Sequence, residues 1–251
     1  MRWMNRCLAG LAAALGAVSA AHAFTITPIY DSPDNWTPDR QALVQQVITN
    51  WTSNLSFGDG NWQNMDIHFN MIDAGTGTGS FLSQWSPVKS QGVEFPYSEG
   101  ITHTIYVNSA YLPIDSFALD GPVAGKYDML TVLSHEMGHA LGFAPGIYMD
   151  QSFIDPWNSH IVGNVFDPGG LNVAMAADHA HVGTAGDLMY FSLGAGTRVN
   201  ISDNDLEMLS LAYGYSFTPV PVPEPAALGV LALGTGLLAL RRGRIRSARR
   251  R

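Results

Sequence analysis

Cysteine is all but missing from this chain, and basic residues are scarce over most of it. The only cysteine of the 251 residues is Cys7. It lies in an N-terminal segment that reads as removable, so the rest of the chain has no disulfides and no thiolate with which to block a metal. Of the 13 Lys and Arg, two lie in residues 1–23 and seven in 226–251, leaving Arg40, Lys89, Lys126 and Arg198 for the body. Twenty of the 21 acids fall in residues 24–220. The formal net charge of −8 therefore conceals a strongly acidic middle between two basic ends. Such a middle repels a phosphate backbone, which argues against a nucleic-acid partner, and it attracts a cationic substrate. Internal repeats are absent, as are EF-hand or nonapeptide calcium patterns. The Gly/Thr-rich stretch Gly75–Ser80 lacks the Gly-Lys-Ser/Thr ending of a phosphate loop and reads as a connector.

Both ends look like addresses. Arg2 and Arg6 precede an apolar run from Leu8 to Val18 and then Ala21-His22-Ala23, the layout of a secretory signal peptide cleaved after Ala23. At the other end Val222-Pro223-Glu224-Pro225 leads into the apolar run Ala226–Leu240 and an arginine cluster from Arg241 to Arg251. Fifteen apolar residues fall short of the roughly 20 that span a bilayer comfortably, and the arginines would hold that end on the cytoplasmic side. The three-part tail resembles the PEP-CTERM sorting signal. That resemblance implies transient membrane insertion as a transmembrane helix, processing by an exosortase-type machinery, and export to the cell envelope or beyond. The expected division is signal peptide 1–23, main domain 24–217, Pro-rich linker 218–225 and sorting tail 226–251. With no long segment before the first strand, a bulky inhibitory propeptide is not expected.

Within the body the hydrophobic pattern places a strand at 24–30 and a helix from Pro38 to about Leu55, with Ala42, Leu43, Val47, Ile48 and Trp51 on its apolar side. Gly58–Asn61 reads as a turn. Met65, Ile67, Phe69 and Met71 alternate as a second strand, with His68 on the polar face. Residues 81–100 read as an exposed hairpin or a long loop. A strand at 101–107 follows, containing His103, which is read as structural; Thr104–Asn108 is the candidate for an open sheet edge. Ser202-Asp203-Asn204-Asp205 reads as a capping box opening a last helix to Tyr213, with Leu206, Leu209, Leu211 and Tyr213 as its apolar side.

The chemistry concentrates in Ser134-His135-Glu136-Met137-Gly138-His139-Ala140-Leu141-Gly142-Phe143. Leu130, Leu133, Met137 and Leu141 recur at helical spacing. Residues four apart on a helix share a face, so His135 and His139 can converge on one ion. Glu136 sits about 100° around the helix from His135, within reach of a water at that ion without ligating it. This is the donor set of a hydrolytic zinc site, in which the metal acidifies water and a carboxylate takes its proton. Gly142 allows the helix to end in a sharp turn.

His-Glu-x-x-His-x-x-Gly resembles the metzincin pattern, and the longer His-Glu-Met-Gly-His-Ala-Leu-Gly-Phe is similar to leishmanolysin-type metalloproteases. The position where the compact pattern carries its third ligand is Pro145, which cannot ligate. Asp150, Asp155, His160 and Glu207 are open alternatives, but the preferred candidates are His181 and then His179. Gly186-Asp187-Leu188-Met189-Tyr190 resembles the Leu-Met segment that follows a distant third histidine in that family, which implies that Met189 turns beneath the metal. Tyr190 follows the methionine directly, so no oxyanion role is assigned to it.

The expectation is an α+β, zincin-like fold: a twisted mixed sheet, an active-site helix, and a mostly irregular C-terminal subdomain. The implied activity is zinc-dependent hydrolysis of a protein or peptide, with His135, His139 and His181 on Zn²⁺ and Glu136 as general base. A non-catalytic zinc-binding surface or matrix protein is the second reading, and a zinc hydrolase of a non-peptide substrate the third.

Overall fold

The computed structural model describes residues 25–57, 65–76, 83–89, 101–144 and 156–219. The segments read from sequence as a signal peptide, a sorting tail and a turn at Gly58–Asn61, and with them Asp150 and Asp155, lie outside the described residues. All described residues fall in the first of two compact units, which ends at Pro219.

The elements in chain order are β1 (Ile26–Asp31), α1 (Pro38–Thr52), β2 (Leu55–Phe57), β3 (Met65–Ile72), β4 (Ser83–Lys89), β5 (Ile101–Asn108), β6 (Asp115–Ser116), β7 (Tyr127–Asp128), α2 (Met129–Leu141), α3 (Pro156–Ser159), β8 (Ile161–Val162), β9 (Val165–Phe166), β10 (Val173–Ala174), α4 (Asp203–Tyr213) and β11 (Tyr215–Phe217). The class is α+β. The main sheet runs β1-β3-β5-β4. The first three strands are parallel, and β4 is antiparallel to β5.

This order corrects one expectation. Thr104–Asn108 is not an edge, because β5 has β3 on one side and β4 on the other. Among the described residues the edges of this sheet are β1 and β4, the latter in a segment read from sequence as a hairpin or long loop. Its strand character was masked by Pro87, yet a proline without an N–H is tolerated in a sheet chiefly at an edge.

Alternation decides which face is covered. Met65, Ile67, Phe69 and Met71 of β3 are buried, whereas His68 and Asn70 are half-buried on the opposite face. His103 pairs in register with Ile67 and is buried in the core, as befits a structural residue. α1 buries Leu43, Val44, Val47, Ile48 and Trp51; Ala42, expected on that side, is exposed. Its Trp51 indole donates to the Ser134 carbonyl of α2 at 3.1 Å, joining the two helices.

Every residue of α2 is buried, so its ends must be satisfied by protein rather than water. At the start the Asp128 carboxylate accepts from the Thr131 amide (3.2 Å) and hydroxyl (2.7 Å). Arg198, one of the few body cations, grips both oxygens of the same carboxylate at 3.0 and 2.7 Å. At the other end Gly142 adopts φ 140°, and the Gly142 and Phe143 amides both return to the Gly138 carbonyl at 3.1 Å. Two tyrosine hydroxyls complete the cap: Tyr213 donates to the Gly142 carbonyl at 2.9 Å and Tyr215 to the Leu141 carbonyl at 3.0 Å.

α4 begins with the expected capping box. Ser202 Oγ accepts from the Asp205 amide at 3.1 Å, and the Asp205 carboxylate accepts from the Ser202 amide at 2.8 Å. Leu206 and Leu209 are buried with Met208 and Ala212, while Leu211, expected on the apolar side, is exposed. Between α3 and α4 the chain is mostly turns, with the two-residue strands β8, β9 and β10, in keeping with the irregular C-terminal part expected. β11 closes the fold by pairing antiparallel with β2, a contact between short strands that left no periodic signal.

Candidate metal centre

Three histidines converge at the C-terminal half of α2. Donor atoms of His135, His139 and His181 all lie within 4.8 Å of one another. His135 Nε2 and His139 Nε2 are 3.1 Å apart, and the His181 ring lies 5.2 and 4.9 Å from the other two ring centres. The first pair follows from one helical turn. The third comes from a loop whose path requires several anchors.

Those anchors explain why His181, and not His179, reaches the cluster. His179 takes φ 58°, which turns its side chain away, and its Nε2 lies 3.1 Å from Asn164 Oδ1. Its carbonyl accepts from the Trp157 indole at 2.8 Å, and Trp157 is buried against Phe143, Phe166 and Tyr213. The backbone on either side of His181 is tied down as well: Ala176 N donates to the His181 carbonyl and Val182 N to the Met189 carbonyl, both at 2.8 Å. Of the other candidates, His160 is half-buried against the Phe166 ring and Glu207 lies half-buried on α4. Neither joins the cluster.

The donor set fits a cation. His135 Nδ1 donates to the Leu188 carbonyl at 2.7 Å, and His139 Nδ1 donates to the Phe143 carbonyl. Carbonyls only accept, so each ring carries its proton on Nδ1 and leaves a lone pair on Nε2. Two lone pairs facing each other at 3.1 Å repel unless a positive ion lies between them. Tetrahedral zinc–imidazole bonds of about 2.0–2.1 Å would set their nitrogens roughly 3.3 Å apart, close to what is seen.

Burial keeps these rings neutral. It pulls the His135 pKa from the ordinary 6.5 to about 4; the Leu188 carbonyl and Asp178 oppose the shift, and the neighbouring His181 reinforces it. His139 lies well below the usual range through burial first, then through His135 and His181. Asp178 behaves differently. Burial works against its charge, but hydrogen bonds from the His181 ring and from two amides outweigh it, and its pKa is lowered.

A depressed histidine supports folding fully above pH 6.5 and loses that contribution as pH falls through about 4. Asp115 acts with the opposite sign. Burial raises its pKa to about 7 against the pull of Arg40 and Lys126, so its contribution is present below the unfolded value and is lost as pH rises through 7. The two offset each other between pH 4 and 6.5, and the ring itself is the better probe. In the metal-free protein, side-chain ¹⁵N spectra should show His135 neutral at pH 5.5; a ring half-protonated near pH 6.5 would contradict the burial argument.

Met189 packs against α2 at Gly138. A Cβ at Gly138 would stand 2.5 Å from its sulfur and 3.4 Å from Trp51, so Met189 occupies the space of a missing side chain between His135 and His139. Asp187 holds that turn by accepting from the Met189 amide at 2.9 Å. The Tyr190 ring packs on Phe191 with centres 4.4 Å apart. Sequence reasoning missed Gly138, Trp157, Asp178 and Asp187. Of these only Asp178, three residues before His181, left a local signal. No known protein family matches the chain, and no curated protein matches it, so function has to be read from the chemistry of the site.

Proposed function

We propose that this protein is an exported zinc-dependent endopeptidase. The observation that carries this reading is the pair of unprotonated Nε2 atoms meeting at 3.1 Å, joined by a third histidine and flanked on α2 by Glu136. A zinc ion held there would supply Lewis acidity, acidifying a water and polarising a substrate carbonyl. His135, His139 and His181 would hold it, as neutral imidazoles suit zinc. The Glu136 carboxylate takes the proton from the attacking water and later delivers it to the departing amine. Glu136 is only 7% exposed, so its charge acts in a poorly screened setting. β4, an edge strand among the described residues, is where an extended peptide would add as a further strand. Two features favour catalysis over the non-catalytic zinc-binding surface or matrix role. A structural zinc is normally closed by four protein ligands, and among the described residues three gather here. The histidine that would close the site, His179, is turned to Asn164 instead.

Export rests on the N-terminal signal pattern, and delivery to the cell envelope or beyond on the PEP-CTERM-like tail. The partners that follow are a protein or peptide substrate, an exosortase-type processing machinery and, transiently, the membrane.

Zinc titration against a chromophoric chelator tests the ligand set. His181→Ala is expected to weaken affinity by more than the roughly 100-fold upper range seen on losing an outer hydrogen bond. His179→Asn, which tolerates the left-handed backbone, should leave affinity within about two-fold. The reverse ranking would transfer the third position to His179. Zinc bound tightly by a protein that cleaves nothing across a broad peptide library would favour the non-catalytic role.

A further inference from the structure

The three ring Nδ1 atoms do not have equivalent partners. His135 and His139 donate to neutral backbone carbonyls, those of Leu188 and Phe143. His181 Nδ1 instead lies 2.6 Å from Asp178 Oδ2, a charge-assisted contact of the short, strong kind. The other oxygen of the same carboxylate accepts from the Ala180 amide at 3.0 Å and the His181 amide at 3.2 Å. One side chain therefore shapes the loop and aims the ring. The His181 carbonyl is also fixed, by the Ala176 amide, so the ring's remaining freedom is rotation about its own side-chain bonds, and Asp178 removes it.

We infer that Asp178 is a positioning residue for the metal centre, holding His181 in the tautomer that presents an Nε2 lone pair to the ion. The inference rests on the zinc reading above. A carboxylate can only accept from Nδ1, which places the ring proton there and leaves Nε2 free; its full negative charge also strengthens the imidazole as a donor. His181 needs this more than its two partners. They are buried on a helix whose side-chain directions are already set, whereas His181 is half-buried on a loop.

Asparagine at 178 separates aiming from loop-building. Its single carbonyl oxygen can satisfy either the two backbone amides or the imidazole. Serving two donors is the better arrangement, so the amide NH₂ turns toward His181. The NH₂ donates to Nδ1, and the ring proton is forced onto Nε2, the atom that would meet the metal. A residue that merely shaped the loop would show the opposite order, with asparagine milder than alanine because it keeps the backbone contacts.

The test measures Zn²⁺ affinity of the full chain by chelator competition for Asp178→Asn, Asp178→Ala and His181→Ala, with the His181 tautomer read from side-chain ¹⁵N shifts of the metal-free protein. The expected result is a loss of about 10- to 100-fold for Asp178→Asn, at least as large as for Asp178→Ala, with the ring proton moved to Nε2 and the metal-free melting curve close to the parent's. In the His181→Ala background, removing Asp178 should cost nothing further. Parent affinity in Asp178→Asn, or an intermediate affinity with the proton still on Nδ1, overturns the inference. If His181→Ala itself binds zinc like the parent, it is the choice of third ligand that fails. The two failures are therefore distinguishable.

Discussion

Glu136→Gln is expected to keep stoichiometric zinc while hydrolysis of a denatured protein falls by about 10²–10⁴-fold, the range for removing a positioned general base. Glutamine preserves the shape of a side chain that is 7% exposed on a wholly buried helix, so the helix and its two histidines should stand unchanged. Only the capacity to accept a proton is lost. The measurement pairs metal content with cleavage of a casein-like substrate on the same preparation. Undiminished cleavage would remove Glu136 from the chemistry. Loss of zinc would make it a ligand, contrary to its place one residue from His135 on the helix. Because the same substitution holds the metal constant, it separates a hydrolase from a protein that only carries zinc.

Gly142→Ala should unfold the site from the other direction. Position 142 takes φ 140°, a region that side chains rarely enter. An added Cβ would stand 2.3 Å from the Tyr213 ring, with two more ring atoms at 2.8 and 3.0 Å. The ring cannot simply swing aside. Its hydroxyl donates to the Gly142 carbonyl at 2.9 Å, and its face lies parallel to Trp157, 6.4 Å away. Backbone strain and overpacking together give an expected loss of about 2–5 kcal/mol. For a domain of this size that lowers the melting temperature by roughly 5–20 °C. The damage should extend to the metal, because the Gly142 amide caps carbonyls of Gly138 and His139, and the Phe143 carbonyl that receives His139 Nδ1 is the next residue. A melting curve and zinc affinity like the parent's would show that the helix can end without the left-handed turn.

How much of this was legible beforehand depended on the range of each interaction. The His135–His139 pair, the end of α2 at Gly142 and the capping box at Ser202 all lie within four residues, and each appeared where the pattern placed it. Elements whose identity depends on partners far along the chain were not legible. β4 carries a proline and becomes a strand by pairing with β5. The tyrosines that cap α2 lie 71 and 74 residues from the carbonyls they satisfy. Asp128 caps the start of α2, but nothing local foretold that Arg198, 70 residues on, would clamp it.

From the sequence alone came the acidic, cysteine-free body, the amphipathic order of helices and strands, and two imidazoles held one turn apart by helical geometry. The tertiary structure decided which distant histidine joins them, that β5 lies inside the sheet with β4 beyond it, and which carboxylate stands behind the third ring. The reason is physical. A helix carries its own hydrogen bonds and repeats its directions every few residues, whereas a loop is aimed only by what it touches. His181 reaches the cluster because Trp157 and Asp178 hold its loop, and no periodicity records those contacts.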